Sequence, residues 1–567
     1  MLSPVALLRK RAAMYPDRPA LAVGDAVLDY GQWLRQAEAA ATHLADAGVC
    51  SGDVVVLRFS LESFLPYAAA YAATLDLGAV AVPAATELRD DEYAGILQAC
   101  GANWTVFADP EAPEGIGLER TGLDDLREER APRGGPSPTD VAEIIFTSGT
   151  TGEPQGVLCP YGEIGFDYDL TPPEEQGDRG RSIEAHAAAF GTNFCQEMLR
   201  GPLKWGSFVV TLPRFGADAL SEAMKRHEVT TLRLAPVMAQ MLVRTTEPGG
   251  LGRITEISVS SAFCPPAVLD KLQAVAPRAL VVNQYSLTES GRAKMKLVWG
   301  EGPREALGRP VEGTEVRIVG EDGAVPARTE GEIQIRHVDA VPRRYLRRDR
   351  RTDGVPAEPA WVSTGDIGYV DDDGYVFLLD RARDLVNVGG RKVSPLAVER
   401  VLAAQPGVAE VAVCGIPHPT LGEVVAALIV PHDTAADTSF DFASVLHHHE
   451  SPKRVVIGTE LPRNRAGKVV RDEVRSQILA GSPPSAAPTG EDESALAETF
   501  KSICARILER PVVDLDVSWY AAGGDSMSAL ELLTTIEDDF GVELPVELFS
   551  GEFGLRDMLI QLQEGGR

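Results

Sequence analysis

The stretch IIFTSGTTGEPQGV at 144–157 constrains this chain more than any other. An apolar run suited to a buried strand stops at Phe146 and gives way to Thr147, Ser148, Gly149, Thr150, Thr151 and Gly152. Glycine and small hydroxyl residues stabilise neither helix nor strand and favour a loop. They also let a backbone approach a phosphate closely, with N–H and O–H groups ready to donate to its oxygens. The spacing is that of neither a Walker A loop nor GxGxxG. A plain polar turn uses the same residue types, so the preceding strand and the length of the run carry the phosphate reading.

Around this loop the chain alternates helical patterns with short β-branched runs, among them 53–59, 78–83 and 207–212. That alternation predicts an α/β multidomain protein whose large body, residues 1–380, holds mixed and parallel sheets. At 567 residues there is chain for three or four folded units. The glycine pair Gly389-Gly390 marks a turn, and a small α+β subdomain follows over 381–478, with a helix expected near 441–450. A stretch rich in Pro, Ala, Ser and Gly at 479–492 reads as a linker. The tail, 493–567, is helical in pattern and carries fifteen acidic against five basic side chains.

The net charge of −29 opposes general binding to nucleic acid or an anionic lipid surface. The most membrane-like stretch, 64–84, contains Pro66, Asp76 and Pro83 and reads as a buried helix running into a buried strand. Seven scattered cysteines without a CxxC pair, and an N-terminus without a signal-peptide pattern, point to a reducing cytoplasm. His447-His448-His449 reads as a solvated helix face, and RRYLRRDRR at 343–351 as a solvated charge run in a surface loop.

The 144–157 segment resembles the phosphate loop of the adenylate-forming superfamily, which includes acyl-CoA synthetases, luciferases and adenylation domains of non-ribosomal peptide synthetases. NQYSLTES at 283–290, WVSTGDIGYV at 361–370, DRARDLVNVGGRKVSPLAVERVL at 380–402 and LPRNRAGKVVRDEV at 461–474 match further motifs in order. AAGGDSMSALELL at 521–533 resembles a carrier-protein motif, making the whole similar to an adenylation domain fused to an all-α, four-helix-type carrier.

The resemblance implies ATP, Mg²⁺ and 4′-phosphopantetheine as cofactors. It implies that Glu289 holds Mg²⁺, Thr288 contacts the α-phosphate, Tyr285 stacks on adenine and Asn283 lies at its edge. Asp366 would accept from the ribose hydroxyls and Arg381 contact ribose or phosphate, with Arg383 at the hinge position. Lys468 would reach the oxygens joining acid and α-phosphate, where negative charge develops. Ser526 would carry the phosphopantetheine, with Gly523 and Gly524 leaving it open to a phosphopantetheinyl transferase. Gly389 and Gly390 would lie on the loop that replaces Lys468 during thioester formation.

Three positions depart from the family pattern. Gln155 stands where the phosphate loop has lysine, which removes a charge-assisted hydrogen bond worth about 1.5–3 kcal/mol. Ser286 and Asp380 replace glycines. In α-amino-acid-activating members an aspartate pairs with the substrate amine; here the matching residue is Asn193, or Gly191 in a register shifted by two. An ordinary α-amino acid is therefore not expected. The same register gives Phe194, Glu197, Arg233, Ser258, Ser260, Gln284, Arg292 and Ala293 as pocket residues. Two arginines and a glutamate in one cavity need partners, from a small polar acid with a second hydrogen-bonding or anionic group, or from the protein itself.

The expected activity is adenylation of a small carboxylic acid, then thioester transfer to the chain's own carrier. Implied partners are a phosphopantetheinyl transferase and a downstream condensation, acyltransferase or tailoring enzyme of a secondary-metabolite assembly line, and the resemblance leaves room for a small MbtH-like helper. Two rivals stand beside this reading: an acid–CoA ligase with a vestigial tail, and a non-catalytic scaffold in which Gln155 marks a dead site.

Overall fold

Runs of β-branched residues become strands buried on both faces, because each lies between neighbours that are themselves covered by helices. Val54–Phe59 and Val80–Ala85 are almost wholly buried. The helix between them, Phe64–Asp76, is apolar nearly all round and correspondingly enclosed. The computed structural model describes residues 3–109, 116–121, 136–147, 155–165, 182–346, 360–418, 421–432, 445–447, 449–464, 467–480 and, with interruptions that include 511–513 and 525–527, 493–565. Among these, no helix is long and apolar enough to cross a membrane, and all seven cysteines are free thiols.

The chain divides into two units. The first comprises Met1–Thr364, Gly368–Leu378 and Arg465–Lys468; the second comprises Gly365–Ile367, Leu379–Asn464 and Val469–Arg567. In the first unit six strands lie side by side and parallel, in the order Pro19–Val23, Phe208–Thr211, Ile183–His186, Thr231–Leu234, Glu256–Val259 and Leu280–Tyr285. Antiparallel strands extend this sheet to fourteen. A seven-stranded sheet has Trp104–Ala108, Val54–Phe59, Val80–Ala85 and Val141–Thr147 parallel at its centre. Gln155–Pro160 returns antiparallel to Val141–Thr147, and the short strand Arg344–Tyr345 pairs with it at the edge.

This topology fixes where a site can be. Helices occupy the faces of a parallel sheet, so the crevice beyond its carboxyl ends is what remains open to a ligand. The 148–154 loop leaves from the carboxyl end of Val141–Thr147, and Thr288 and Glu289 follow the carboxyl end of Leu280–Tyr285.

In the second unit five strands, Val386–Val388, Arg391–Val393, Val408–His418, Gly422–Pro431 and Arg454–Ile457, form one sheet. The helices Pro395–Ala403 and Arg471–Ala480 pack on it around Val398, Leu402, Val474 and Ile478. Gly389 and Gly390, at φ +55° and +91°, make the turn of its hairpin. The helix expected near 441–450 is not formed in the described residues 445–447 and 449–450, which turn instead, with the N–H groups of Glu450 and Ser451 both donating to the His447 carbonyl. Pro452 disfavours helical backbone at Ser451.

The acidic tail has its own core. Phe500, Trp519, Leu532, Ile536, Met558 and Leu562 cluster between the helices Glu493–Ile507 and Leu555–Gly565 and the helical residues described at 528–536. The architecture is therefore the expected one: a sheet-rich body, a small α+β subdomain and a helical carrier region.

Candidate active site

The turn after Leu280–Tyr285 is tied by one hydroxyl. Ser290 Oγ accepts from the Leu287 N–H at 3.1 Å and lies 3.0 and 2.9 Å from the carbonyls of Leu287 and Ala293. Thr288 and Glu289 ride on this turn, half-buried. Two residues from the 343–346 segment clamp it. Arg343 Nη1 donates to the Thr288 carbonyl at 2.9 Å, and the Tyr345 hydroxyl donates to Glu289 Oε1 at 2.7 Å.

Arg343 is itself buried, with 1% of its side chain exposed, against a Glu163 carboxylate that is 4% exposed. Its Nε and Nη2 donate to Glu163 Oε2 at 3.0 and 2.6 Å, and Nη1 also donates to Asn193 Oδ1 at 2.8 Å. Glu163 lies on the short helix Tyr161–Ile164, directly after the strand that leaves the phosphate loop. Gly291, at φ +57°, passes so close that a Cβ would sit 2.8 Å from Glu163 Oε1. Glu163, Glu289, Gly291, His337, Arg343 and Val362 line a cleft beside this constellation.

This placement corrects the reading of 343–351 as a solvated run. Arg343 is a buried hub, because the Glu163 carboxylate, the Thr288 turn and Asn193 converge on its N–H donors. Residues 347–351 lie outside the described residues.

The expected pocket residues divide in two. Asn193 opens the helix Asn193–Trp205, capped by Thr192 Oγ1. Glu197 follows one turn later; Gly191 precedes the helix at φ +80°, close to the Pro83 carbonyl. Gln284 Nε2 donates to Ser258 Oγ at 2.6 Å, joining two pocket positions. Ser260 donates its backbone N–H to the Leu234 carbonyl, just past Glu256–Val259.

The others are engaged elsewhere. Phe194 packs against the hydrophobic core, and Ala293 is fully buried. The two arginines offered to an anionic ligand are also corrected. Arg233 pairs with Glu184 at 2.7 Å and Glu256 at 2.6 Å, carboxylates from the strands on either side. Arg292 donates to the Gly162 and Glu163 carbonyls at 2.6 and 3.2 Å.

Glu197 takes Arg200 as its partner at 3.1 Å, and Arg200 also holds the buried Glu143 at 2.5 Å. Desolvation opposes its ionisation, but Arg200, Lys204, Lys294 and Arg343 together lower the Glu197 carboxyl, whose side chain is 45% exposed. At the other end of the helix, burial holds Lys204 down at about 8, with Glu197 opposing and Lys294 reinforcing the shift.

Of the phosphate loop, Thr147 and Gln155 face each other across the neck of the hairpin, with Thr147 Oγ1 3.4 Å from the Gln155 carbonyl. Ser148, Gly149, Thr150, Thr151 and Gly152 lie outside the described residues, as does Ser526. Asn283 is buried within the sheet and Tyr285 half-buried at its end. Gly467 and Lys468 group with the first unit. Gly467, at φ +77°, lies against Val237, and Lys468 is exposed beside it.

In the second unit Arg381 Nε stands 3.0 Å from Asp366 Oδ1, and Arg383 is 3.3 Å from Asp384. Asp380, where glycine was expected, has a structural use. It accepts from the Leu396 N–H at 2.8 Å and the Ser394 hydroxyl at 2.6 Å at the start of Pro395–Ala403. In the tail, Gly523 and Gly524 have a packing cause. A Cβ on Gly524 would lie 2.2 Å from Trp519 Nε1, and one on Gly523 2.6 Å from Arg510 Nη2.

Glu163, Ser290, Arg343 and Tyr345 were missed from the sequence. The alternation of Arg343 and Tyr345 before a short apolar residue, Leu346, is a strand pattern that could have flagged them.

Glu289 Oε1 takes the Tyr345 hydroxyl, and a half-buried carboxylate among the residues lining the cleft suits a hard divalent cation.

Residues 8–346 match the AMP-binding enzyme family, 397–468 the AMP-binding enzyme C-terminal domain and 498–558 the phosphopantetheine attachment site. The chain is 28% identical to a long-chain-fatty-acid–CoA ligase, FadD13, of Mycobacterium tuberculosis over 84% of its length and 99% of the relative's. It is 26% identical to a 2-succinylbenzoate–CoA ligase of Bacillus cereus, over 83% and 98%. Its fold is similar to that of o-succinylbenzoate CoA synthetase (MenE) from Bacillus subtilis, solved with its acyl-adenylate (TM-score 0.68, 23% identity, 84% and 99% covered). ATP-bound MatB from Rhodopseudomonas palustris is similar to the same degree (TM-score 0.68, 23% identity, 84% and 99% covered).

Proposed function

We propose that this chain, which belongs to the AMP-binding enzyme family, adenylates a small carboxylic acid and passes the acyl group to phosphopantetheine on its own Ser526. It is an acid-activating ligase that uses ATP and Mg²⁺. The observation that carries the finer reading is the succession of AMP-binding, C-terminal and phosphopantetheine-attachment regions on one chain.

Activation brings the acid's carboxylate and the α-phosphate of ATP together, two anions, and pyrophosphate leaves as the new P–O bond forms. Positioning and charge neutralisation therefore supply most of the catalysis. Thr288 would meet the α-phosphate from a turn held rigid by Ser290 and Arg343. Glu289, oriented by Tyr345, would hold the Mg²⁺, which when bound neutralises charge on the phosphate oxygens. Lys468 would add positive charge at the bridging oxygen. Asp366, an acceptor-only carboxylate, would receive the ribose hydroxyls, with Arg381 beside it. Ser526 would hold the phosphopantetheine, whose thiol would take the acyl group with AMP as the leaving group.

The setting we infer is a secondary-metabolite assembly line, with a phosphopantetheinyl transferase upstream and a separate acyl acceptor downstream. The second reading, release of the acyl group to free coenzyme A, is favoured by the names of the relatives. One measurement separates them. The phosphopantetheinylated protein, given ATP and a library of small acids, should gain the mass of one acyl group. Ser526→Ala should abolish that gain while acid-dependent pyrophosphate exchange persists. Acyl-CoA formed at an undiminished rate by Ser526→Ala, with no acyl gain on the unaltered protein, would establish the second reading instead.

A further inference from the structure

Lys468 ends a loop that is closed at its base. Arg463 and Val469 pair as an isolated antiparallel bridge, and the Val470 N–H donates to the Pro462 carbonyl at 2.9 Å. The chain on the two sides of 464–468 is thereby joined. Val469 packs against the hydrophobic core of the second unit, and Lys468 next to it is exposed. Where Lys468 points therefore depends on how firmly Val469 and Val470 are held.

Arg471 holds them. It opens the helix Arg471–Ala480, a position where the unpaired N–H groups disfavour a cation and where Asp472 and Glu473 follow the ordinary pattern. The helix itself thus gives no reason for an arginine there; its contacts do. Nη1 and Nη2 lie 2.7 and 3.4 Å from Oε1 and Oε2 of Glu399, on the helix Pro395–Ala403, and Nη1 also donates to the Val413 carbonyl. Glu399 Oε1 in turn accepts from the Val413 N–H at 2.9 Å. Burial pushes the Glu399 carboxyl up, and Arg471 opposes that shift.

The remaining contacts tie this root to two further places. Arg471 Nε stands 3.3 Å from Asp384 Oδ2, and Asp384 Oδ1 lies 3.3 Å from Arg383 Nε, so one carboxylate joins the hinge position to the root of the loop. On the outgoing stem Arg463 Nη2 meets Glu410 Oε2 at 3.2 Å. Glu410 and Val413 belong to the same strand, Val408–His418, which therefore anchors both stems.

We infer that Arg471 is a positioning residue for Lys468: its planar fork, seated on Glu399, Val413 and Asp384, fixes the returning stem of the loop and with it the place to which the Lys468 ammonium is delivered. A lysine needs such support, because its ammonium is a point charge on a flexible stem and carries no geometry of its own. Displacement of a charge-bearing group by about 1 Å costs up to about a hundredfold in rate. This inference rests on the reading of Lys468 as the residue that adds positive charge at the bridging oxygen.

The test compares the unaltered protein with Arg471→Lys, Lys468→Ala and the double variant, each full-length and phosphopantetheinylated. Pyrophosphate exchange is measured with acetate, succinate, benzoate, 3-phenylpropanoate and octanoate, and the acid exchanged fastest is used throughout. Lys468→Ala should lower kcat for exchange about a hundredfold. Arg471→Lys, which keeps the charge but loses the fork, should lower it at least about tenfold. Added to Lys468→Ala, it should lower exchange by no more than about a further twofold, because its effect acts through the lysine already removed. Deuterium uptake at the Val470 amide should quicken at least about tenfold in Arg471→Lys, while amides of the strand Val54–Phe59 keep their rates.

A purely structural role for Arg471 would lower exchange by the same factor with and without Lys468. Losses that multiply in this way overturn the inference and leave the reading of Lys468 standing. So does an unchanged Val470 amide in Arg471→Lys. Undiminished exchange in Lys468→Ala overturns that reading and the inference together. Should Arg471→Lys lack a cooperative unfolding transition, Glu399→Gln takes its place in the comparison and is judged by the same ratios. Should none of the acids support exchange, the Val470 amide decides the matter.

Discussion

Arg343 and Arg233 both sit among glutamates in the first unit, and they do opposite things. Arg233, 21% exposed, lies between Glu184 and Glu256, and two carboxylates engage its guanidinium from either side. Arg343, 1% exposed, meets one carboxylate, so donors remain for the Thr288 carbonyl and the Asn193 amide. The difference lies in what the donors reach: Arg233 meets carboxylates through Nε and Nη1, whereas Arg343 neutralises its charge on Glu163 through Nε and Nη2 and holds the Thr288 and Asn193 oxygens with Nη1.

Arg343→Met should give the largest effect. It leaves Glu163 buried without a counterion and should cost about 3–5 kcal/mol in urea unfolding. Arg233→Met leaves the buried Glu184 unpaired beside the partly exposed Glu256 and should cost less, about 2 kcal/mol. Equal costs for the two substitutions would erase the distinction drawn between them.

A smaller effect is expected at the companion contact. Tyr345→Phe removes one exposed hydrogen bond to Glu289, worth about 1 kcal/mol, and should raise the Mg²⁺ concentration for half-maximal exchange about fivefold while the unfolding midpoint stays put. An unchanged Mg²⁺ requirement would confine the organising role to Arg343.

The smallest effect concerns Lys204, which is half-buried near Glu197 and Lys294. Burial lowers its pKa from 10.5 to about 8 in the folded protein. Between those values the unfolded chain binds more protons than the folded one, so stability should rise with pH from about 8 to about 10.5. Lys204→Met should lose that rise when urea unfolding is followed across the interval. A slope unaltered by the substitution would assign it to other groups.

The site was legible in the sequence to the extent that ligand chemistry dictates residue type. The roles of Thr288 and Glu289 are implied by the family resemblance, and the turn that carries them follows the carboxyl end of the parallel strand Leu280–Tyr285. The elements of the fold were legible for a similar reason, since burial on both faces of a strand demands a continuous apolar run. The helix expected near 441–450 gives way to turns in the residues described there, 445–447 and 449–450.

What the sequence could not say is which charges meet. Glu163 and Arg343 are 180 residues apart, and Asn193 and Arg343 are 150 apart. A charge run at 343–351 has the same letters whether it faces water or a buried glutamate. The sequence by itself determined the fold class and the succession of adenylation, C-terminal and carrier regions, because burial pattern and motif order are local properties of the chain. The tertiary structure alone decided that Arg233 meets Glu184 and Glu256, that Arg292 meets the 162–163 backbone, and that Arg343 joins Glu163 to the Thr288 turn and to Asn193. An ion pair is set by distance and desolvation, and both exist only once the sheets have brought distant segments together.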